Sequence, residues 1–99
     1  MKECVERWLD EQFCGDRGAV ESVYAEYRAT LARLLGDLAA ARASGRTEAV
    51  RRALHSIRGS AAMVGDTGVS ELAASARGAS DAAAVEAVEV ALRKAVAEL

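Results

Sequence analysis

Apolar residues recur every three or four positions along most of the chain, which is the spacing of amphipathic α-helices. The pattern is clearest in the second periodic stretch, where the apolar positions are Val20, Val23, Tyr24, Tyr27, Leu31, Leu34 and Leu38. Glycines at positions 15, 18, 45, 65, 68 and 78 separate the stretches, and glycine ends helices more often than it continues them. The pattern therefore predicts five helical segments.

Capping residues and glycines give approximate bounds for the first three helices. The first covers about Glu3 to Phe13, and we expect this short helix to act as a lid that buries Val5, Trp8, Leu9 and Phe13. The second runs from an Asp16 cap to about Ala43. The third runs from a Thr47 cap to about Val64, with Gly65 as its stop.

Two further helices complete the chain. The fourth begins at an Asp66 or Thr67 cap and ends at Gly78. The fifth begins at Ser80 or Asp81, and its apolar positions are Val85, Val88, Leu92, Val96 and Leu99. Because the connections are only a few residues long, we expect successive helices to be antiparallel neighbours.

Composition supports an all-α fold. The chain has no proline and only 4% aromatic residues, which favours helices over a β-sandwich. Its 99 residues suffice for one domain with one core. We therefore expect a single all-α domain over residues 1–99, an antiparallel up-and-down four-helix bundle with an additional short N-terminal helix.

Charge and apolar content exclude several functional classes. A net charge of −2 argues against binding nucleic acid over a broad surface. No uncharged apolar run approaches the roughly 18 residues of a membrane span, and Glu3 and Glu6 interrupt any signal peptide. We therefore expect a cytoplasmic domain without membrane contact.

The two cysteines do not indicate a metal site. Cys4 and Cys14 match neither a CxxC pair nor a zinc-ligand spacing, and the chain has a single histidine. We expect both to be buried or half-buried free thiols, and we expect this chain to bind no metal.

The single histidine, His55, is predicted to face solvent. At about 100° per residue, the apolar positions of the third helix lie on the side opposite His55; they are Val50, Ala53, Leu54, Ile57, Ala61 and Val64. Within roughly 60° of His55 lie mainly charged and small residues: Glu48, Arg51, Arg52, Arg58, Gly59 and Ala62. An ordinary surface histidine is the alternative at this point.

Two features indicate that this exposed histidine has a function. Gly59 lies in the middle of the helix, where glycine costs about 1 kcal/mol relative to alanine. Together with Ala62 it leaves space beside the imidazole for another protein. The segment from Arg42 to Arg58 carries five arginines and one acid, Glu48, so we expect an anion there. Nearby cations favour a neutral imidazole, which is a competent phosphoryl acceptor.

The segment His55-Ser56-Ile57-Arg58-Gly59-Ser60-Ala61-Ala62-Met63-Val64-Gly65 resembles the signature of histidine-containing phosphotransfer (HPt) domains. That signature has a histidine, a variable residue, an aliphatic residue, a lysine or arginine, a glycine, two small residues and a second glycine ten positions after the histidine. The helix order and chain length are similar to the family as well, so the resemblance covers nearly the whole chain.

The resemblance implies a phosphorelay. His55 would take a phosphoryl group on Nε2 from an aspartate of a CheY-like receiver domain and pass it to another receiver. These receivers belong to response regulators or hybrid sensor kinases. Arg58 would offset the phosphate charge, with Arg51, Arg52 and Arg77 nearby, while Gly59, Ala62 and Glu48 would contact the partner. The domain itself would need no cofactor, with Mg²⁺ held by the receiver, and the sequence shows no glycine-rich ATP loop.

The sequence departs from the family pattern at two positions. Arg77, 22 residues after His55, stands where the family often has Glu or Gln to hold the imidazole through Nδ1. Arginine has no acceptor for that proton, so either another group or water fixes the tautomer, or Arg77 faces the phosphoryl group. Asp66 stands where the family commonly has an aliphatic residue, and it is better explained as a helix cap.

Three other functions remain open from the sequence. The domain could be the phosphoacceptor of a chemotaxis-type histidine kinase, although such domains often run longer. It could be a helical adaptor that binds receivers without chemistry, which the Arg77 departure allows. Binding of nucleic acid through the arginine-rich helix is the third, and it would be strongly salt-dependent.

Overall fold

The computed structural model of the chain describes residues 1–76 and 82–99. These residues form five α-helices: α1 (Glu3–Gln12), α2 (Arg17–Ala43), α3 (Thr47–Met63), α4 (Thr67–Ser75) and α5 (Ala82–Ala97). The described part of the chain contains no β-strand. The prediction of an all-α fold with five helices is confirmed.

Four of the helices enclose the core. α2 packs against α3 and α5, and α4 packs against the same two helices, so each of α2 to α5 contacts two of the others. α1 lies outside this group, against α2. None of the helices in the described ranges is both long and apolar enough to cross a membrane.

The apolar face predicted for α2 is the centre of the core. Six of its seven apolar positions are buried, and Val23 is half-buried. Of the apolar positions predicted for the last helix, Val85 and Leu92 are buried, while Val88, Val96 and Leu99, which lies just beyond the end of α5, are half-buried against the core. The helical periodicity therefore identified the inward faces correctly.

Two of the predicted helix caps are present, and one is wrong. The Asp16 carboxylate accepts a hydrogen bond from the Ala19 N–H (3.2 Å), and Asp66 accepts one from the Val69 N–H (3.3 Å). Thr47 does not cap α3, because the capping position is Arg46, whose side chain makes no capping bond. The carbonyl of Arg46 already accepts from the Val50 N–H, so Thr47 lies inside the first turn.

The junction between α1 and α2 differs from the prediction. Val5 and Leu9 are buried, but Phe13 is 38% exposed, because α1 ends at Gln12 and Phe13 leaves the helical path. Cys4 is half-buried as predicted, whereas Cys14 is exposed in a turn with a φ of 51°. This turn points into solvent, so the prediction of a covered thiol holds for Cys4 alone.

The ends of α3 and α4 agree only in part with the prediction. α3 ends at Met63, with Val64 as its C-cap, and Gly65 follows with a φ of 72°, so Gly65 is the predicted stop. α4 ends at Ser75, before the predicted break. That break at Gly78 and the predicted start of α5 at Ser80 or Asp81 lie outside the described residues.

A buried carboxylate, Asp66, joins three helices. Its side chain is 0% exposed and accepts hydrogen bonds from the Lys2 Nζ (2.5 Å), the Tyr27 hydroxyl (2.7 Å) and the Val69 N–H. Burial, together with the hydrogen bond to Asp66, raises the pKa of Tyr27 well above its ordinary value. Asp66 therefore links the start of α1, the middle of α2 and the start of α4.

The turn between α3 and α4 is also held by Trp8 of α1. A Cβ atom on Gly65 would lie 2.7 Å from Cγ of Trp8, which is closer than real carbon atoms approach. Since Gly65 also has a positive φ, both the backbone conformation and the close contact with Trp8 require glycine there.

The far end of α2 is tied to α5 by a second buried carboxylate, Glu89, which is 4% exposed. It accepts hydrogen bonds from Nε of Arg42 (2.5 Å) and Nη2 of Arg93 (3.2 Å). Burial by itself raises the pKa of Glu89, but the two guanidinium groups outweigh it and hold that pKa below its ordinary value. The apolar periodicity of α5 did not predict this buried acid.

Replacing Asp66 by alanine should lower the free energy of unfolding by about 3 kcal/mol, because a buried ion pair is broken and the Tyr27 hydroxyl loses its acceptor. The matched control is Asp16→Ala, which removes an exposed cap of the same geometry and should cost about 1 kcal/mol. Urea denaturation of both variants measures the difference. Equal losses would show that the contacts of Asp66 with Lys2 and Tyr27 contribute nothing beyond capping.

Candidate phosphoacceptor site

His55 lies on the outward face of α3 and is exposed. The residues around it in sequence, Leu54 and Ile57, are each 1% exposed, and Ala61 is fully buried. These residues contact the core on the opposite side, which confirms the predicted orientation. Among the described residues, no group hydrogen-bonds the imidazole ring, so no contact within them has to break before the ring can bind a partner.

The surface of α3 that continues from His55 toward the end of the helix has small residues at Gly59 and Ala62 and is open to solvent. Gly59 and Ala62 are exposed, and a Cβ atom on Gly59 would meet nothing within 4 Å. No packing inside the domain therefore requires glycine at this position, although glycine weakens the helix there. The space predicted beside the imidazole is present.

Met63, one turn beyond Gly59, belongs to the same open surface. Its side chain is 74% exposed, the highest fraction among the large apolar residues that are exposed. Met63 was not among the predicted site residues, since methionine in a helix is more often a core residue than a surface one. Helical geometry places Met63 about 80° around the helix from His55. That spacing, read from the sequence, could have indicated that Met63 lies next to the histidine surface.

The arginines of α3 differ in their partners. Arg51, Arg52 and Arg58 are all exposed, but Arg51 Nη1 lies 3.6 Å from Oε2 of Glu48. Within the described ranges, the side chains of Arg52 and Arg58 form no ion pair or hydrogen bond. Helical geometry places these two about 60° to either side of His55, so two uncompensated guanidinium groups flank the imidazole. Arg77 lies outside the described residues.

A groove of about 290 Å³ runs between α2 and α3 beside His55. It is lined by Arg33, Leu34, Asp37, Ala49, Arg52, Ala53 and Ser56. Of these residues, only Arg52 was predicted from the sequence as a site residue. The others depend on how α2 and α3 are aligned against each other, which the periodicity of either helix alone does not specify.

The arrangement places an exposed imidazole between two positively charged side chains, those of Arg52 and Arg58. An exposed neutral imidazole can attack an electrophilic centre without rearrangement of the domain, and the guanidinium groups favour an anionic electrophile. In the part of the chain that the structure describes, no group of three or more His, Cys, Asp or Glu side chains is placed to hold a metal ion.

The family model of the Hpt domain matches residues 22–99. The match begins in the second turn of α2 and includes α3, α4 and α5, and therefore His55 and the groove, while α1 lies before it. Searches of curated proteins and of solved structures found no significant match. Because the match extends over most of the chain and includes the exposed histidine, the chain belongs to the Hpt domain family.

Proposed function

We propose that this domain is a phosphorelay intermediate that accepts a phosphoryl group on Nε2 of His55 from a receiver-domain aspartate and passes it to another receiver. Hpt domains are phosphocarrier modules of two-component signalling and interact with receiver domains of response regulators. The observation that carries the proposal is the exposed His55 beside the open surface at Gly59, flanked by unpaired arginines.

The transfer step is a displacement at phosphorus. The Nε2 lone pair of the neutral imidazole forms the N–P bond, while the P–O bond to the aspartate breaks and the aspartate leaves as a carboxylate. The proton on Nδ1 stays on the ring, so the product is a phosphoimidazolium group. Transfer to a second receiver reverses these changes, with its aspartate as the nucleophile. Because the attacking lone pair is already present on the neutral ring, the nucleophile needs no separate base.

Arg58 has the role of stabilising the phosphoryl group. It lies one turn from His55 and is free of carboxylate partners within the described ranges, so its guanidinium can donate hydrogen bonds to phosphoryl oxygens. Arg77 is proposed as a second donor, since arginine cannot accept the Nδ1 proton, and water then fixes the imidazole tautomer.

The receiver supplies the remaining catalytic groups. We expect Mg²⁺ on the receiver, where it neutralises the phosphoaspartate, and no cofactor on this chain. This domain provides a positioned nucleophile, positive charge and an unobstructed surface. In this proposal residues 1–99 act as one HPt domain in the cytoplasm.

The contacts between helices support an antiparallel up-and-down arrangement of the bundle. α2 and α3 pack together across a short connection, as do α3 and α4, and α5 closes the bundle against α2 and α4. α1 is then the additional N-terminal helix. This arrangement leaves the outward face of α3 free for a docking receiver.

His55→Gln should abolish phosphorylation, because glutamine has no nucleophilic ring nitrogen. The wild-type domain, mixed with radiolabelled phosphoreceivers from the same organism, should acquire a label that is labile in acid and stable in alkali. The variant should acquire none while keeping its fold by circular dichroism. A label that persists in the variant would show that another residue is the acceptor.

Arg58→Ala should slow phosphotransfer about tenfold, because a charge-assisted contact with the phosphoryl group is lost. Its free energy of unfolding should change by less than about 0.5 kcal/mol, since the side chain is exposed and unpaired. Arg58→Lys should restore most of the rate, and Arg28→Ala on α2 is the control for charge. If only the melting temperature responds, the role of Arg58 is structural.

Gly59→Leu should slow phosphotransfer from a receiver at least tenfold, because the leucine side chain fills the space that the partner needs. Leucine favours helix by about 0.8 kcal/mol over glycine, so stability should stay the same or rise. Gly36→Leu, at an equally open position within α2, is the matched control. Normal transfer by the Gly59 variant would place the docking surface elsewhere.

A further inference from the structure

We propose that the groove between α2 and α3 binds an aspartate or glutamate side chain of the docking receiver, with Arg52 as its ion-pair partner, and that this contact selects among receivers. The inference rests on the proposed function and adds to it a second recognition site, separate from the phosphoryl group.

The groove lies directly beside the phosphoacceptor. Arg52 and Ser56 line it, and they are the residues three before and one after His55 in the same helix. Both are rotated toward α2 from His55, whereas Arg58 is rotated the other way. A domain that reaches Nε2 of His55 therefore also covers the groove, and Arg58 remains on the opposite side of the imidazole.

The charges of the groove favour a carboxylate. Its two arginines face one acid, Asp37, and that acid already lies 3.8 Å from Nη1 of Arg33. Arg52 is exposed and has no partner within the described ranges, so the groove retains one uncompensated positive charge. Arg51, its neighbour in sequence, is paired with Glu48 and lies outside the groove.

The shape of the groove suits a side chain. Leu34 and Ala53, which are 6% and 7% exposed, contribute apolar surface at its base, while Arg33 and Arg52 supply its polar part. The methylene groups of a glutamate or aspartate would contact the apolar part while the carboxylate reaches Arg52. Ser56 lines the same space, and a serine hydroxyl can donate a second hydrogen bond.

In this geometry, one arginine contributes to binding of the receiver and another contributes to transfer of the phosphoryl group. Arg58 acts on the phosphoryl group in both reaction directions, whereas Arg52 acts on a part of the receiver that does not react. Loss of the Arg52 contact should therefore raise the KM for the receiver and leave the rate at saturation nearly the same.

The test compares two phosphodonors on the full chain. One is a set of purified phosphoreceivers from the source organism, and the other is phosphoramidate, which is too small to use the groove. Arg52→Glu should lower kcat/KM with the best wild-type receiver about tenfold, through KM, because two like charges then face each other. Labelling of His55 by phosphoramidate should fall much less, because this donor does not reach into the groove and Arg58 remains to contact its phosphoryl group. Arg28→Glu makes the same change in net charge on α2 away from the groove and serves as the control.

Ala49→Leu provides a second measurement without any change in charge. Leucine at this position fills the groove from the α3 side, and helix propensity differs little between the two residues. This variant should also raise KM for the receiver, with circular dichroism and thermal melting reporting the fold.

The possible outcomes separate this inference from the proposed function. If no receiver labels His55 of the wild-type chain, the proposed function fails, and this inference fails with it. If receivers label the wild type but Arg52→Glu matches Arg28→Glu, only the groove proposal is overturned. An equal loss with both donors would also overturn it, because Arg52 would then act on the phosphoryl group.

Discussion

The burial of one face of α3 determines where His55 lies. α3 packs against both α2 and α4, and its inward residues Leu54, Ile57 and Ala61 are almost completely buried. In a helix, residues on the opposite face must then point to solvent. The exposure of His55 is thus a consequence of core packing, and the imidazole is available without any opening of the domain.

The position of α3 depends in turn on a polar anchor at its end. The turn after α3 places Gly65 against Trp8 and Asp66 in the interior, where a lysine from the chain start and a tyrosine from α2 bind its carboxylate. A buried carboxylate without partners would be strongly unfavourable, so this turn has few alternative positions. The departure from the usual aliphatic residue at Asp66 is therefore a structural feature, and it ties α1 to the bundle.

Ion pairing distinguishes arginines that the sequence presents as equivalent. Arg51 shares its charge with Glu48, while Arg52 and Arg58 remain uncompensated on the two sides of His55. An arginine without an internal partner loses no existing contact when it binds an anion. Proposed roles in phosphoryl binding and in docking therefore fall on different residues, although all three arginines lie within two turns of one helix.

The sequence by itself determined the all-α fold, the inward faces of the helices, the caps at Asp16 and Asp66 and the exposure of His55, because periodicity and capping are local properties of a helix. The predictions for Thr47 as a helix cap and for Phe13 and Cys14 as covered side chains were wrong. At these positions the path of the adjoining turn decides where the helix begins or ends and which side chains are exposed. Only the tertiary structure showed the groove on α2 and α3, the Asp66 and Glu89 networks and the free state of Arg52. These features depend on the alignment of helices distant in sequence, which side-chain packing sets and no local pattern encodes.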